Sequence, residues 1–235
     1  MSNRFLKTFL FVIAIFSFSY VNAAESLEFS RPEDVGFSSD QLNKIESYFS
    51  GRVENGEIAG AVTLVARHGE IVHFSAVGYQ DVEQQIPMQE DTLFRIYSMT
   101  KPIATTALMM LYQDGLFQLN DPLSKFIPEF ANLQVLRTPD GPLDDTVALV
   151  REPTVQDILR HTAGFSHGLG TSEYDEYFIG QGIFSTETSL ENMMTALSQI
   201  PLVYQPGAQF NYSVGPDVAL RLVEIISGMP ADEYL

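Results

Sequence analysis

The sequence predicts an α+β fold in which a small antiparallel sheet is followed by a lobe of helices. Apolar residues alternate over residues 60–67 and again over 70–78, and the turn pair His68-Gly69 separates the two runs, which is typical of a β-hairpin. Downstream, apolar residues recur every three to four positions, which is the spacing of amphipathic helices. The predicted order is therefore helix, hairpin, strand and then helices.

The composition is that of a globular protein with an acidic surface. Hydrophobic residues make up 45% of the 235 residues, and the formal net charge is −17. This charge argues against nucleic acid and anionic membrane surfaces as partners. The absence of cysteine excludes disulfides, thiolate metal sites and cysteine nucleophiles. His68 and His73 lack an accompanying carboxylate cluster, so we expect both to be structural and expect no metal or other cofactor.

Residues 1–23 predict an export signal. Arg4 and Lys7 precede an apolar run over residues 9–16 that is short for a membrane span, and the small-residue segment 21–23 suits a cleavage site. We therefore expect a periplasmic or secreted bacterial protein without stable membrane insertion after cleavage. An uncleaved membrane anchor is the alternative interpretation of the same segment.

One helix is predicted before the hairpin. A capping segment at residues 38–40 precedes Leu42, Ile45 and Phe49, which lie on one helical face. Gly51 is expected in the loop that follows this helix.

The helical lobe is predicted over residues 111–215, within a single hydrolase domain at residues 24–235. Residues 131–153 contain several prolines and glycines, which predict a long irregular loop and a rim of the site. Helical patterns and stop signals predict further helices at 103–112, 123–127, 155–161, 186–199 and 217–228.

The segment around Ser98 holds the strongest chemical signal. Ser98 and Lys101 are three positions apart, so they lie on the same face of a helix that begins near Ser98. Pro102 suits the first turn, where its missing N–H costs no hydrogen bond. A serine hydroxyl needs a neighbouring base to become a nucleophile, and a lysine can serve if burial lowers its pKa. The pattern therefore indicates a Ser-Lys nucleophile.

Ser166 offers a competing motif. Residues 164–168 match G-x-S-x-G, but that elbow needs a strand before the serine and a helix after it. Here a predicted helix precedes and a glycine-rich loop follows, so we do not expect Ser166 to be a nucleophile. His161 and His167 are expected to be loop and packing residues.

Three segments resemble motifs of the serine β-lactamase and penicillin-binding-protein superfamily, in the same order. The nearest branch is the class C-type group of β-lactamase-related serine hydrolases and family VIII carboxylesterases. Residues 98–101 (SMTK) resemble its nucleophile motif, 159–164 (LRHTAG) its LL-x-HTSG segment, and 210–214 (FNYSV) its tyrosine motif. The resemblance covers roughly residues 29–235, and it implies an antiparallel sheet flanked by helices, with the site beside a helical lobe.

The resemblance also implies roles for individual residues. Ser98 would be the acylated nucleophile, with its backbone N–H as half of an oxyanion hole. Lys101 would assist removal of the serine proton, and Tyr212 would be the general base or proton relay. Tyr97, Ser213 and Val214 are expected to contact the substrate. No cofactor is implied.

Two departures from the family pattern affect the expected function. Val214 replaces an asparagine that contacts the amide of a β-lactam or peptide, which favours an ester. The family's third motif and C-terminal strands are absent up to Leu235, so we expect this chain to lack those strands and to be poorly active alone. The expected protein is an exported serine hydrolase acting on small esters. A β-lactamase, a D-amino-acid peptidase acting on cell-wall peptides, and a non-catalytic binder of peptidoglycan fragments are the alternatives.

Overall fold

The computed structural model describes residues 27–235, which form two compact units. The sheet unit ends at Phe94, and the helical unit runs from Arg95 to Leu235. The predicted signal at 1–23 lies outside the described residues, and the assignment of 24–235 to one domain stays a prediction. Among the described helices, none combines the length and the apolar character needed to cross a bilayer.

Six strands and seven α-helices are described. The strands are β1 (Glu28–Phe29), β2 (Gly60–Arg67), β3 (Glu70–Asp81), β4 (Ile86–Pro87), β5 (Gln134–Leu136) and β6 (Thr146–Ala148). The helices are α1 (Ser39–Glu54), α2 (Thr100–Gln113), α3 (Val155–Leu159), α4 (Glu173–Gly180), α5 (Leu190–Leu197), α6 (Gly215–Ser227) and α7 (Ala231–Tyr234). The order confirms the predicted α+β class.

The sheet unit is built on the predicted hairpin. Strands β2 and β3 pair antiparallel, and β4 pairs antiparallel with β3, whereas the two-residue β1 runs parallel to β3. His68 and Gly69 have φ of 57° and 83°, the left-handed conformation that a two-residue hairpin turn needs. His73 is hydrogen-bonded to Thr63 on the neighbouring strand, with 2.8 Å between Nε2 and Oγ1.

Helix α1 is longer than its apolar pattern predicts. It continues through Gly51 to Glu54, so the prediction that Gly51 lies in a loop was wrong. A glycine inside a helix costs about 0.5–1 kcal/mol relative to alanine, which one position of a sixteen-residue helix can tolerate. Leu42 of this helix packs with Val35 and Val72 in a small buried cluster.

The helical unit holds the main hydrophobic core. Helix α6 packs against α2, α3 and α5, and Leu108 of α2 and Leu222 of α6 are completely buried. The predicted ends of α2 and α6 are confirmed: α2 ends before Asp114-Gly115, and α6 ends at Gly228, whose φ is 74°.

Two parts of the helical unit differ from the sequence prediction. The segment 131–153 is not wholly irregular, because β5 and β6 pair antiparallel within it. Helix α4 was not predicted, although Ser172 caps it through a capping box with Asp175. Both elements are short, so each leaves too few periodic residues to reveal itself in the sequence.

Candidate active site

A tight turn carries Ser98 into helix α2. Residues Tyr97–Met99 form a 3₁₀ turn, and α2 begins at Thr100. Lys101, one turn after Ser98, donates a hydrogen bond from Nζ to Ser98 Oγ at 3.1 Å. Tyr97 has a φ of 45°, a left-handed conformation that is strained for a residue with a side chain and is common beside functional groups. The predicted Ser98–Lys101 contact is therefore present in the structure.

Tyr212 completes a three-residue cluster from a distant part of the chain. Its hydroxyl lies 2.7 Å from Ser98 Oγ, and Lys101 Nζ lies 4.7 Å from the centre of its ring. The serine hydroxyl thus contacts both a phenol and an ammonium group. A proton can leave Ser98 along the short hydrogen bond to Tyr212.

The local charges favour the ionised form of Tyr212. The interaction with Lys101, and next the hydrogen bond with Ser98, hold the pKa of Tyr212 below its usual value of 10.0. Desolvation and the negative charge of Asp217 act in the opposite direction without reversing the shift. Stabilisation by a neighbouring cation is what a phenol needs to act as a base near neutral pH.

The loop before α6 is fixed by the segment that contains His161. Asn211 donates its backbone N–H to the His161 carbonyl at 2.7 Å and its side-chain amide to the Phe165 carbonyl at 2.8 Å. The backbone N–H of Ser213 donates to His161 Nδ1 at 3.2 Å. These bonds hold both neighbours of Tyr212, so they fix the direction of the phenol.

Two histidine rings pack on Tyr212. The ring centres of His161 and His167 lie 4.9 and 4.8 Å from that of Tyr212, the second at an interplanar angle of 85°. Burial, and next the positive charge of Lys101, lowers the pKa of both imidazoles. Both rings are therefore neutral near pH 7 and add no second cation beside Lys101. The sequence predicts that His161 and His167 are packing residues, but it does not reveal that they pack on Tyr212, the candidate base.

Ser166 has a different environment from Ser98. Its side chain is buried, and its Oγ accepts a hydrogen bond from Gly168 N–H at 3.3 Å. No strand leads into it, and α4 begins only at Glu173. The structural context that the elbow motif requires is thus lacking here.

Asp157 anchors the start of this segment. It receives two hydrogen bonds from Arg151, of 2.6 and 2.9 Å, and others from Thr154 and Thr162. Burial acts to raise the pKa of Asp157, but the bonds from Arg151 and Thr154 outweigh it and hold the pKa below its usual range. The ionised carboxylate therefore ties α3 to the loop that carries His161.

Two glycines allow close backbone contacts around the site. Gly164 has a φ of 91°, and a Cβ there would overlap the carbonyl oxygen of Tyr204. At Gly215 a Cβ would overlap the carbonyl of Ile158, so α6 can approach α3 only because that side chain is missing. Both positions help to set the position of Tyr212.

The cluster opens into a cavity of about 550 Å³. Tyr97, Ser213 and Val214, which the sequence predicts as substrate contacts, all line it. Ser213 and Val214 are almost fully buried, whereas Tyr97 is exposed. Among the described residues, none from 131–153 lines the cavity, so the expectation that this segment forms its rim was wrong.

The expectation that the protein binds no metal stays a prediction. Within residues 27–235, no three His, Asp or Glu side chains lie close enough together to hold an ion.

Comparison with known proteins supplies the family. The sequence model of the Beta-lactamase family matches residues 45–235. Esterase EstB of Burkholderia gladioli is 35% identical over 192 residues, which are 80% of this chain and 46% of EstB. An uncharacterised protein of Mycobacterium tuberculosis is 37% identical over 180 residues, 74% of this chain and 43% of that protein.

A solved structure that superposes on this chain is EstCE1, described as a hydrolase with promiscuous acyltransferase activity. It superposes with a TM-score of 0.69 at 30% identity, over 83% of this chain and 49% of EstCE1. The chain spans about half the length of the curated relatives it matches. From the family match over most of its length and the shared fold, the chain belongs to the beta-lactamase family of serine hydrolases.

Proposed function

We propose that the protein hydrolyses small esters through an acyl-enzyme on Ser98. The observation that carries this proposal is the hydrogen-bonded cluster in which Tyr212 Oη lies 2.7 Å, and Lys101 Nζ 3.1 Å, from Ser98 Oγ. A nucleophile in direct contact with a base, and a base in contact with a cation, is the arrangement that acyl transfer needs.

The first half-reaction acylates the serine. Tyr212, as phenolate, takes the proton of Ser98 while Oγ forms a bond to the ester carbonyl carbon. The C–O bond to the alcohol then breaks, and Tyr212 returns the proton to the departing alkoxide. Lys101 stabilises the phenolate, and the Ser98 N–H is proposed as one donor to the carbonyl oxygen.

The second half-reaction restores the enzyme. Water gives a proton to Tyr212 and attacks the acyl carbon, the bond to Ser98 Oγ breaks, and the proton passes to that oxygen. The product is a carboxylic acid, so atoms and charges balance without a further reactant.

An ester substrate is favoured over an amide by two observations. Val214 occupies a position at which many family members have an amide-binding asparagine, and its buried side chain donates no hydrogen bond. EstB and EstCE1 are described as an esterase and a hydrolase with acyltransferase activity. A β-lactamase, a D-amino-acid peptidase and a non-catalytic binder remain the alternatives. Export to the periplasm or the medium is part of the proposal and rests on residues 1–23.

The test is labelling by a fluorophosphonate, read by intact mass and peptide mapping on the protein as the cell makes it. We expect one adduct on Ser98 and none in the Ser98→Ala variant. Ser75→Ala is a matched control, because Ser75 Oγ lies 3.4 Å from His73 Nε2 and is also a serine beside a base. Labelling of Ser98→Ala at the wild-type rate, or hydrolysis by it, would contradict the proposal. An unlabelled wild type would favour the binder, and turnover of penicillins or D-alanyl peptides but not esters would favour the amide alternatives.

A further inference from the structure

The cavity beside Ser98 has one wall without charged side chains. This wall consists of apolar and hydroxyl side chains from a loop and the first turn of α5: Ile183, Phe184, Ser185, Thr186, Thr188, Ser189, Leu190 and Met193. The most buried side chains of this wall are Ile183 and Met193, which are 2% and 5% exposed. Val214 also lines the cavity and is 1% exposed. These three residues form an apolar floor. A charged group placed on these three side chains would lose its water and gain no charged partner from them.

The charged groups lie at the other side of the cavity. Among the described residues that line it, the charged side chains are Arg95, Lys101 and Asp217. Arg95 and Lys101 flank Ser98 in sequence, and Asp217 shares a second, smaller cavity with Lys101. The reacting carbonyl therefore belongs at the charged side, and what projects from it faces the apolar floor.

Apolar surface continues to the mouth of the cavity. Leu169 and Phe184 line it and are 73% and 50% exposed. Exposed apolar side chains continuous with a buried apolar floor favour a ligand that covers both. The volume of about 550 Å³ lies within the range of about 300–1,000 Å³ that is usual for drug-sized ligands, and it far exceeds an acetyl group.

We infer that the physiological ester carries an apolar group of several carbons, which lies on the floor formed by Ile183, Met193 and Val214 and extends past Leu169. This inference rests on the proposed function, because it places the ester carbonyl at Ser98. The apolar group can belong to the acyl or to the alcohol portion of the ester, and the chemistry of the floor suits both.

Two ester series distinguish these sources. In the first, p-nitrophenyl esters are lengthened from acetate to octanoate; in the second, alkyl acetates are lengthened from methyl to octyl. Burial of one methylene is worth about 0.8 kcal/mol, so kcat/KM should rise about threefold to fourfold for each carbon until the cavity is full. A rise in the first series assigns the floor to the acyl group, and a rise in the second assigns it to the alcohol.

Paired leucine variants connect the chain-length effect to this cavity. Leu169→Ala should reduce the rise of kcat/KM for the longest esters by about threefold to tenfold. Leu116→Ala removes a leucine that is 52% exposed and lies outside the cavity lining, so it should leave the whole series unchanged. Both residues are exposed, so neither variant should fail to fold. Met193→Ala tests the floor in the same way.

The outcomes separate this inference from the proposed function. If a fluorophosphonate labels Ser98 but kcat/KM is independent of length in both series, the apolar floor does not bind substrate and the inference is overturned while the proposed function stands. An equal effect of Leu169→Ala and Leu116→Ala would also overturn it. If Ser98 is not labelled and no ester is cleaved, the proposed function fails, and the inference fails with it.

Discussion

The sheet unit and the helical unit differ greatly in how much apolar surface they bury. The main buried cluster of the helical unit contains 27 residues, whereas that of the sheet unit contains Val35, Leu42 and Val72. Strand β2 has no fully buried residue. Ser98, Lys101 and Tyr212 all lie in the better-packed unit. A site whose geometry must be held to fractions of an ångström needs neighbours that are locked by packing.

Each unit also contains a serine beside a base. In the sheet unit, Thr63 of β2 is hydrogen-bonded to His73 of β3 and to Ser75, which lies opposite Thr63 on β3. In the helical unit, Ser98 contacts Lys101 and Tyr212 at comparable distances and opens into the apolar cavity. Hydrogen-bond geometry alone does not separate the two clusters. The cation beside the base and the adjoining cavity do.

The largest expected effect comes from removing the cation. Lys101→Met keeps the length of the side chain but restores the pKa of Tyr212 towards that of a free phenol, so acylation at pH 7 should fall by about 10²- to 10⁴-fold. His73→Ala removes the base of the sheet cluster and should leave the rate unchanged. Burst kinetics with p-nitrophenyl esters measure both. A small effect of Lys101→Met with normal folding would remove Lys101 from the mechanism.

Core truncation should separate the stability of the two units. Leu108 is 0% exposed, so Leu108→Ala should cost about 2–5 kcal/mol of unfolding free energy. Leu64 of β2 is 49% exposed, so Leu64→Ala should cost under about 1 kcal/mol. Urea denaturation followed by circular dichroism gives both values. Equal losses of unfolding free energy in the two variants would mean that the difference in packing between the units does not affect stability.

Two ion pairs offer a smaller contrast. Asp157 is nearly buried and accepts hydrogen bonds from Arg151 and two threonines. Asp157→Ala should therefore lower the free energy of unfolding by about 2–3 kcal/mol. Asp34 pairs with Arg31 at the surface of the sheet unit, where solvent screens the pair, so Asp34→Ala should cost clearly less than Asp157→Ala. Thermal melts of the two variants provide the comparison, and similar shifts in Tm would contradict it.

The pH dependence of the Asp157 contribution has a defined sign. The folded pKa of Asp157 lies below its unfolded value of 3.8, so its stabilisation is present above that pH and is lost as the pH falls through the folded pKa. The stability difference between wild type and Asp157→Ala should therefore shrink only in acid. A difference that stays constant below pH 4 would contradict the ionised state assigned here.

The smallest expected effect is a shift in the pH profile. The charge of Asp217 raises the pKa of Tyr212, so Asp217→Asn should lower that pKa further and move the acid limb of kcat/KM to lower pH. Lys101, whose hydrogen bond and charge lower the pKa of Tyr212, is unchanged in this variant. An unshifted limb with a reduced rate would indicate that Asp217 acts only in packing.

Local patterns were sufficient for much of the fold. The alternation of apolar residues over 60–67 and 70–78 depends only on which face of one hairpin each residue occupies. The structure has the turn at His68-Gly69, as expected. The contact between Ser98 and Lys101 follows from helical spacing alone. By contrast, the pairing of β5 with β6 and the continuation of α1 through Gly51 depend on contacts that short segments do not encode.

The sequence by itself determined the proximity of Ser98 and Lys101 and the family motifs, because each is a spacing within a few residues. Only the tertiary structure decided that Tyr212 Oη lies 2.7 Å from Ser98, that His161 and His167 pack on its ring, and that an apolar floor adjoins them. These groups are up to 114 positions apart in the chain. Their meeting depends on how α6 packs against α2 and α3, which is settled by burial of the whole core and not by any local pattern.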